Sequence, residues 1–406
     1  MHTNTHPKMV GLPNIKEAED ILSACVHCGF CTATCPTYQH FGDERDGPRG
    51  RIYLIKQLLE TNEVTASTQT HLDRCLTCRS CETTCPSGVK YGRLVDIGRG
   101  IVEERVTRKP MDRFMRFSLR KVLPNAKLFG ALVGMGQLVK PLLKGTSIGA
   151  KIPPKKVASP WPKIANNGKG HARHMLALAG CAQSVTTPNT NAATARVLDK
   201  LGISLVEAPK AGCCGAVDHH LGAHADGLVA MRRNIDAWWP AIEAGAEAIV
   251  MTASGCGVMV KEYGELLEHD SDYAAKSKKI SELTKDLSEI LLNEDLEKLD
   301  VRDKKPTAFH CPCTLQHGQQ LNGVVEEILT RAGVPLTKTK EKHLCCGSAG
   351  TYSVLQSKTS QQLLDNKLTA LMVDNPVQIV TANVGCQMHL ESKANVPVKH
   401  WIELLD

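Results

Sequence analysis

Two cysteine runs, fifty positions apart, leave this chain little freedom. The first is Cys25-Val-His-Cys28-Gly-Phe-Cys31-Thr-Ala-Thr-Cys35-Pro36; the second is Cys75-Leu-Thr-Cys78-Arg-Ser-Cys81-Glu-Thr-Thr-Cys85-Pro86. Both follow C-x2-C-x2-C-x3-C-P, the spacing that holds paired [4Fe–4S] clusters. Three thiolates from one tight loop cap three corners of a cubane. The fourth, just past the loop, is directed away and ligates the other cluster. Cys25, Cys28, Cys31 and Cys85 are therefore expected to hold one cluster, and Cys75, Cys78, Cys81 and Cys35 the second. Pro36 and Pro86 have no N–H to donate and turn the chain as it leaves each site.

Other uses of cysteine fit less well. Structural zinc takes a single four-ligand set, often including His. Disulfide frameworks belong to small secreted chains. This chain has 406 residues and 17 cysteines, and its start, MHTNTHPKMVGLPNIKEAED, lacks the apolar core of an export signal. A reducing cytoplasm is expected. No run is apolar over the length needed to span a bilayer. The formal net charge of +7 omits ligated thiolates and clusters, so the assembled protein should be less positive.

Residues 1–100 read as a helical ferredoxin domain. Ile52, Ile55, Leu58 and Leu59 share one face at helical spacing between the two loops. Arg49, Arg51, Arg74 and Arg79 lie near the clusters, either solvated or stabilising their negative charge. Residues 101–170 form a basic connector, with helix expected from Arg93 to Leu119 and prolines beyond. No Asp or Glu occurs from Arg113 through Leu198, whereas Arg116, Arg120, Lys121, Lys127, Lys140, Lys144, Lys151, Lys155, Lys156, Lys163, Lys169 and Arg173 are basic. Beside the apolar stretch Leu128–Val139, this favours a face for an anionic membrane leaflet or an acidic partner over a solvated linker. Nucleic acid is not expected, for want of stacking aromatics or a binding motif.

The rest of the chain repeats at a period near 130 residues. Residues 171–265 and 305–406 each alternate strands and helices, predicting parallel βαβ units, with residues 266–304 a helical linker carrying no chemistry. The fold class is thus α+β multidomain: a helical two-cluster ferredoxin domain followed by a duplicated α/β domain. Strands are expected at Met175–Gly180, Ile203–Val206, Ala248–Thr252, Thr307–His310, Val334–Thr337 and Gln378–Thr381. Cys181, Cys256, Cys313 and Cys386 fall just past strand ends, where sites form in such sheets. Two related lobes could bring both cysteine sets to one face.

Each lobe also carries a Cys-Cys-Gly loop, Cys213-Cys214-Gly215 and Cys345-Cys346-Gly347. Cys181 to Cys213 and Cys313 to Cys345 are both 32 positions. Vicinal cysteines form a strained disulfide or bridge adjacent metal ions. The recurrence favours metal, as an iron–sulfur cluster or zinc. Cys311, Cys313, Cys345, Cys346 and Cys386, with His389, make a candidate third metal site. Cys181, Cys213, Cys214 and Cys256 make a candidate fourth metal or thiol site. No G-x-G-x-x-G follows a strand, so no flavin or nicotinamide site is visible and no catalytic residue is assigned.

Several segments resemble the glycolate oxidase iron–sulfur subunit family. They include Asp46-Gly-Pro-Arg-Gly-Arg-Ile-Tyr-Leu-Ile-Lys56, Gly212-Cys-Cys-Gly-Ala-Val217, Asn234-Ile-Asp-Ala-Trp-Trp-Pro240, Phe309-His-Cys-Pro-Cys-Thr-Leu-Gln-His317 and Leu344-Cys-Cys-Gly-Ser-Ala-Gly350. The Cys-Cys-Gly half also resembles heterodisulfide reductase and anaerobic glycerol-3-phosphate dehydrogenase subunits. In the fullest form of that motif a C-x2-C pair follows the Cys-Cys-Gly; here Met259 and His389 stand at its final position. The resemblance implies an electron-transfer subunit with two [4Fe–4S] clusters. It further implies a partner subunit bearing FAD that oxidises glycolate to glyoxylate, a membrane quinone as acceptor, and a peripheral place on the cytoplasmic side of the inner membrane. Subunits for D-lactate, glycerol-3-phosphate or disulfide chemistry are the nearest alternatives; an iron–sulfur scaffold or redox sensor is the alternative of another class.

Overall fold

The computed structural model describes residues 1–12, 14–143, 152–162 and 170–406. Helices α1 (Ile15–Ala24), α2 (Pro48–Thr61), α3 (Ala66–Asp73) and α4 (Tyr91–Arg105) enclose a first core of Leu22, Ile55, Leu58, Leu59, Leu72 and Leu94. Pro48 opens α2, where its missing N–H has no partner to lose. Asn62, left-handed at φ 59°, ends it. The apolar face read from the sequence, Ile52, Ile55, Leu58 and Leu59, is the buried one.

The single helix expected from Arg93 to Leu119 is two. α4 stops at Arg105, and Pro110 begins α5 (Pro110–Val122). The residue before a proline is pushed out of helical geometry, and Lys109 is extended at ψ 144°. Helix α6 (Ala126–Val139) then turns away, the pair meeting at 110°. Among the described residues no single helix is long and apolar enough to cross a membrane.

Much of the connector's charge is internally paired. Arg116 meets Asp73 at 3.0 Å, Arg120 reaches both Asp218 and Asp226, and Lys156 meets Glu391 at 2.7 Å. Lys140 donates to the carbonyl of Ile152, and Arg173 pairs with Glu247 and Glu294. Lys144, Lys151, Lys163 and Lys169 lie outside the described residues.

The first lobe runs β1 (Arg173–Ala177), α7 (Asn189–Lys200), β2 (Ile203–Glu207), α8 (His224–Glu243), β3 (Ile249–Met251), α9 (Ser254–Lys261) and β4 (Thr284–Asp286). Its sheet is parallel, in the order β2-β1-β3-β4. The segment 266–304 is therefore more than a helical linker, since β4 completes the first sheet. The second lobe runs β5 (Thr307–His310), α10 (Val324–Arg331), α11 (Ser357–Leu371), β6 (Gln378–Thr381), α12 (Val384–Glu391) and β7 (Val398–His400), with sheet order β5-β6-β7. The strand expected at Val334–Thr337 is reduced to one bridge, Thr307 to Leu336. Pro335 supplies a carbonyl to Thr307 but has no N–H to extend the ladder. The bridge nevertheless preserves the order of the first sheet, so the two lobes match strand for strand.

The duplication extends past the strands. Asp286 caps the turn after β4 with Glu289 bonding back to it, and His400 and Glu403 do the same after β7. The lobes share one apolar core, with Leu198, Val250 and Leu287 from the first and Phe309, Ile328 and Trp401 from the second. The carboxyl ends of the two sheets meet. Ser254 N donates to the carbonyl of Ala382 at 3.1 Å, and Gly255 N to Oδ1 of Asn383 at 3.3 Å.

Candidate metal centres

Each N-terminal loop is curled by two left-handed residues at matching places, His27 and Gly29 in the first, Thr77 and Arg79 in the second. For a residue with a Cβ that conformation costs about 1 kcal/mol or more, and it folds the three loop thiols inward. Cys25, Cys28 and Cys31 line one small cavity with Cys85, walled by Ile52, Val89 and Tyr91. Cys75, Cys78 and Cys81 line another with Cys35, walled by Pro36, Leu76 and Tyr91. The fourth cysteine of each run thus crosses to the other loop. Tyr91 and Cys81 border both cavities.

The donor set suits iron–sulfur clusters. None of the seventeen cysteines is paired in a disulfide. Burial pushes Cys31 up to about 11 and raises Cys78 and Cys81 well above the usual thiol range. Such thiols ionise when a metal supplies the compensating charge. Hydrogen bonds already aim at sulfur, from Thr77 N to Cys75 at 3.4 Å and from the Tyr91 hydroxyl to Cys75 at 3.5 Å. Of the four arginines, Arg49 lines the first cavity and Arg51 and Arg79 the second. Each has an acidic partner: Arg49 has Glu44, Arg79 has Glu262, and the buried Arg51 has Asp46, which Arg74 and His71 also hold.

In the first lobe the four predicted cysteines come together as a chain of contacts. Cys181 touches Cys213, Cys213 its neighbour Cys214, and Cys214 touches Cys256. Cys213 accepts from both sides, which holds its thiol well below the usual range. The backbone beneath is fixed by Asn234, whose amide donates to the carbonyl of Cys213 at 2.9 Å, and by Tyr263, whose hydroxyl donates to that of Cys214 at 2.8 Å. Met259, at the final position of the motif, is buried in apolar core.

The second lobe repeats this quartet through contacts of Cys313 with Cys345, Cys345 with Cys346, and Cys346 with Cys386. The glycine of each Cys-Cys-Gly is required. Gly215 and Gly347 have φ of 90° and 87°, and a Cβ on them would sit 2.9 Å from the carbonyl oxygen of Gly227 and 2.6 Å from that of Ser360. Lys367, buried beside this quartet, donates to the carbonyls of Glu341 and Lys342.

Two of the predicted donors are placed differently. Cys311 packs into the core shared by the lobes, and His389 Nε2 lies 3.1 Å from the hydroxyl of Ser360. A histidine not singled out in the sequence takes the position near the thiols. His310, last residue of β5, has a ring nitrogen within 4.8 Å of the sulfurs of Cys346 and Cys386. The signal for it was comparison of the two halves, which sets Leu178 against His310.

The second quartet also abuts the N-terminal domain. Leu76, Cys313, Cys345, Tyr352 and Leu363 form one apolar cluster with Cys78 packed against it. The first lobe docks elsewhere on that domain, through Arg79 to Glu262 and His220 to Asp96.

Comparison with known proteins agrees with this architecture. Residues 21–89 match the 4Fe-4S dicluster domain, and residues 175–261 and 307–391 each match the Cysteine-rich domain. The chain is 59% identical over 391 residues to the glycolate oxidase iron-sulfur subunit of Escherichia coli (strain K12), covering 96% of this chain and 95% of that protein. It is 28% identical to the probable glycolate oxidase iron-sulfur subunit of Bacillus subtilis (strain 168), over 92% of this chain and 89% of that one. Lactate utilization protein A of Bacillus velezensis is 30% identical over 56% of this chain and 96% of its own length. Among solved structures, a hypothetical protein from Helicobacter pylori superposes with a TM-score of 0.57 at 10% identity, over 96% of this chain and 71% of that one, a likeness of fold alone.

Proposed function

This chain belongs to the family of glycolate oxidase iron–sulfur subunits, and we propose that it is the electron conduit of a complex in which a flavin-bearing partner oxidises glycolate to glyoxylate. That oxidation yields two electrons and two protons, and the final acceptor is a membrane quinone, reduced to the quinol. Bound [4Fe–4S] clusters would carry the electrons one at a time. The chain's part is to hold the thiolates, keep water from them and set the spacing between stations.

The observation that carries this reading is the unbroken line of cysteine sets. The Cys25 set and the Cys75 set share Tyr91 and Cys81 as walls. Cys78 then meets Cys313 and Cys345 in one apolar cluster. The second-lobe quartet is thereby a third station, and its buried thiols suit a further iron–sulfur centre. In this reading substrate oxidation falls to the flavin-bearing partner.

The membrane face in this reading is the α5–α6 pair. Met111, Phe114 and Phe117 on α5, then Met135 and Leu138 on α6, are more than half exposed. Lys121 and Lys127 flank the bend between the helices. Apolar side chains framed by lysines suit a peripheral contact with an anionic leaflet on the cytoplasmic side.

Stopped-flow measurement on the assembled complex tests the function. Cys28→Ala and Cys78→Ala should abolish turnover with quinone while glycolate still reduces the flavin. An assembled complex whose flavin no longer accepts electrons from glycolate would overturn the reading. D-lactate is the second substrate to try, because of the relative named for lactate utilization. The acid that bleaches the flavin decides between them.

A further inference from the structure

We propose that His310 is a nitrogen ligand of the iron centre held by Cys313, Cys345, Cys346 and Cys386. The proposal rests on the reading of the second lobe as an electron station.

Three observations converge. His310 closes β5, and a ring nitrogen lies within 4.8 Å of the Cys346 and Cys386 sulfurs, which lie equally close to each other. The side chain is 1% exposed, yet neither Nδ1 nor Nε2 has a hydrogen-bond partner among the described residues. Burying an imidazole with both nitrogens unpaired is costly. His400, equally buried, uses both of its nitrogens, one on the Thr252 carbonyl and one on the Ile402 amide. A metal ion among the thiols gives His310 the partner that the protein withholds.

The third observation is the comparison between lobes. At the corresponding position the first lobe carries Leu178, packed in an apolar cluster with Cys214. Otherwise the two quartets share order, contacts and the left-handed glycine. The lobes therefore differ in this donor: sulfur alone in the first, sulfur plus one nitrogen in the second. An imidazole completes the donor set without adding the negative charge that a further thiolate would bring, and it is thiolate-for-imidazole exchange that shifts the potential of iron–sulfur centres.

Pulsed EPR on the reduced, anaerobically purified full chain tests this, with and without 15N-histidine. The signal to follow is the one lost in Cys345→Ala. A histidine nitrogen coupling is expected on that signal, absent in His310→Leu and in His310→Cys. His310→Cys should keep the iron with a lower midpoint potential, because a thiolate then stands where the neutral imidazole was, and His310→Leu should weaken or lose the centre. Leucine already fills this place in the first lobe, and about eight irons retained in the N-terminal domain would report a folded variant. A Cys345-dependent signal without histidine coupling, or coupling that survives in His310→Leu, overturns the ligand while leaving the station intact. About eight irons in the wild type with no Cys345-dependent signal overturns station and ligand together. Zinc in place of iron at the quartet overturns the iron assignment.

Discussion

His400 Nε2 lies 2.8 Å from the carbonyl oxygen of Thr252, so the last strand of one lobe is pinned to the end of β3 in the other. The amide of Ile402 donates to Nδ1 at 3.3 Å, which leaves Nε2 as the protonated nitrogen. The ring is held neutral because burial lowers its pKa to about 3. A histidine whose folded pKa is depressed contributes stability above its unfolded pKa, near 6.5, and loses it as pH falls toward the folded value. Each pH unit below 6.5 costs about 1.4 kcal/mol per such group. His219, also lowered to about 3 by burial, acts in the same direction. Asp286, raised to about 6 by burial, acts oppositely, its contribution being lost as pH rises through about 6. The thermal midpoint should therefore fall between pH 7 and pH 5, and His400→Gln should flatten that slope by about one proton. An unchanged slope in the variant would show that His400 is not the responsible group.

Gly347→Ala should be strongly destabilising. It combines a left-handed φ of 87° with a Cβ placed 2.6 Å from the carbonyl oxygen of Ser360. A loss of about 2 kcal/mol or more is expected, whereas alanine at Gly323, which is left-handed but open to space, should cost only about 1 kcal/mol. Denaturant unfolding of both variants gives the comparison.

The crossing of Cys35 and Cys85 makes a pairing prediction. Cys85→Ala and Cys28→Ala should lose the same EPR signal, and Cys35→Ala and Cys78→Ala the other, each with about four fewer irons per chain. If Cys85→Ala instead matched Cys78→Ala, each run would serve its own cluster.

What could be read from the sequence was chemistry carried by short spacing. The two four-cysteine runs, the Cys-Cys-Gly repeats and the apolar face of α2 are local patterns that leave few alternatives. β4 was missed because Thr284-Lys-Asp286 is three residues without an apolar run. Only its pairing with β3 makes it a strand. The connector looked more basic than it is because the partners of Arg116 and Arg120 lie at Asp73, Asp218 and Asp226, far away in the chain. The 32-position spacing matched Cys313 with Cys181 but did not say where Cys311 would go. In three dimensions Cys311 enters the shared core and Cys313 faces the quartet.

Binding of the chain to phosphatidylglycerol vesicles tests the α5–α6 face. Leu138 is 80% exposed and Leu142 is 86% exposed. Replacing both by serine should weaken vesicle partitioning about tenfold or more, since burying each leucine contributes about 1.5–3 kcal/mol. Iron content should not change. Equal partitioning of wild type and variant would assign this face to a protein partner instead.

The unequal burial of the two quartets bears on how each exchanges an ion. Cys313, Cys345, Cys346 and Cys386 are all under a tenth exposed, whereas Cys181 and Cys256 remain partly open to solvent. In the closed fold Cys181 and Cys256 meet solvent directly, whereas the second quartet is approached at Cys345, which borders a cleft lined by Pro36, His40 and Lys367. The first quartet would then be filled, emptied or repaired readily in the finished protein, and an ion at the second would enter and leave more slowly through that cleft. A chelator applied to the folded chain would strip the first lobe before the second.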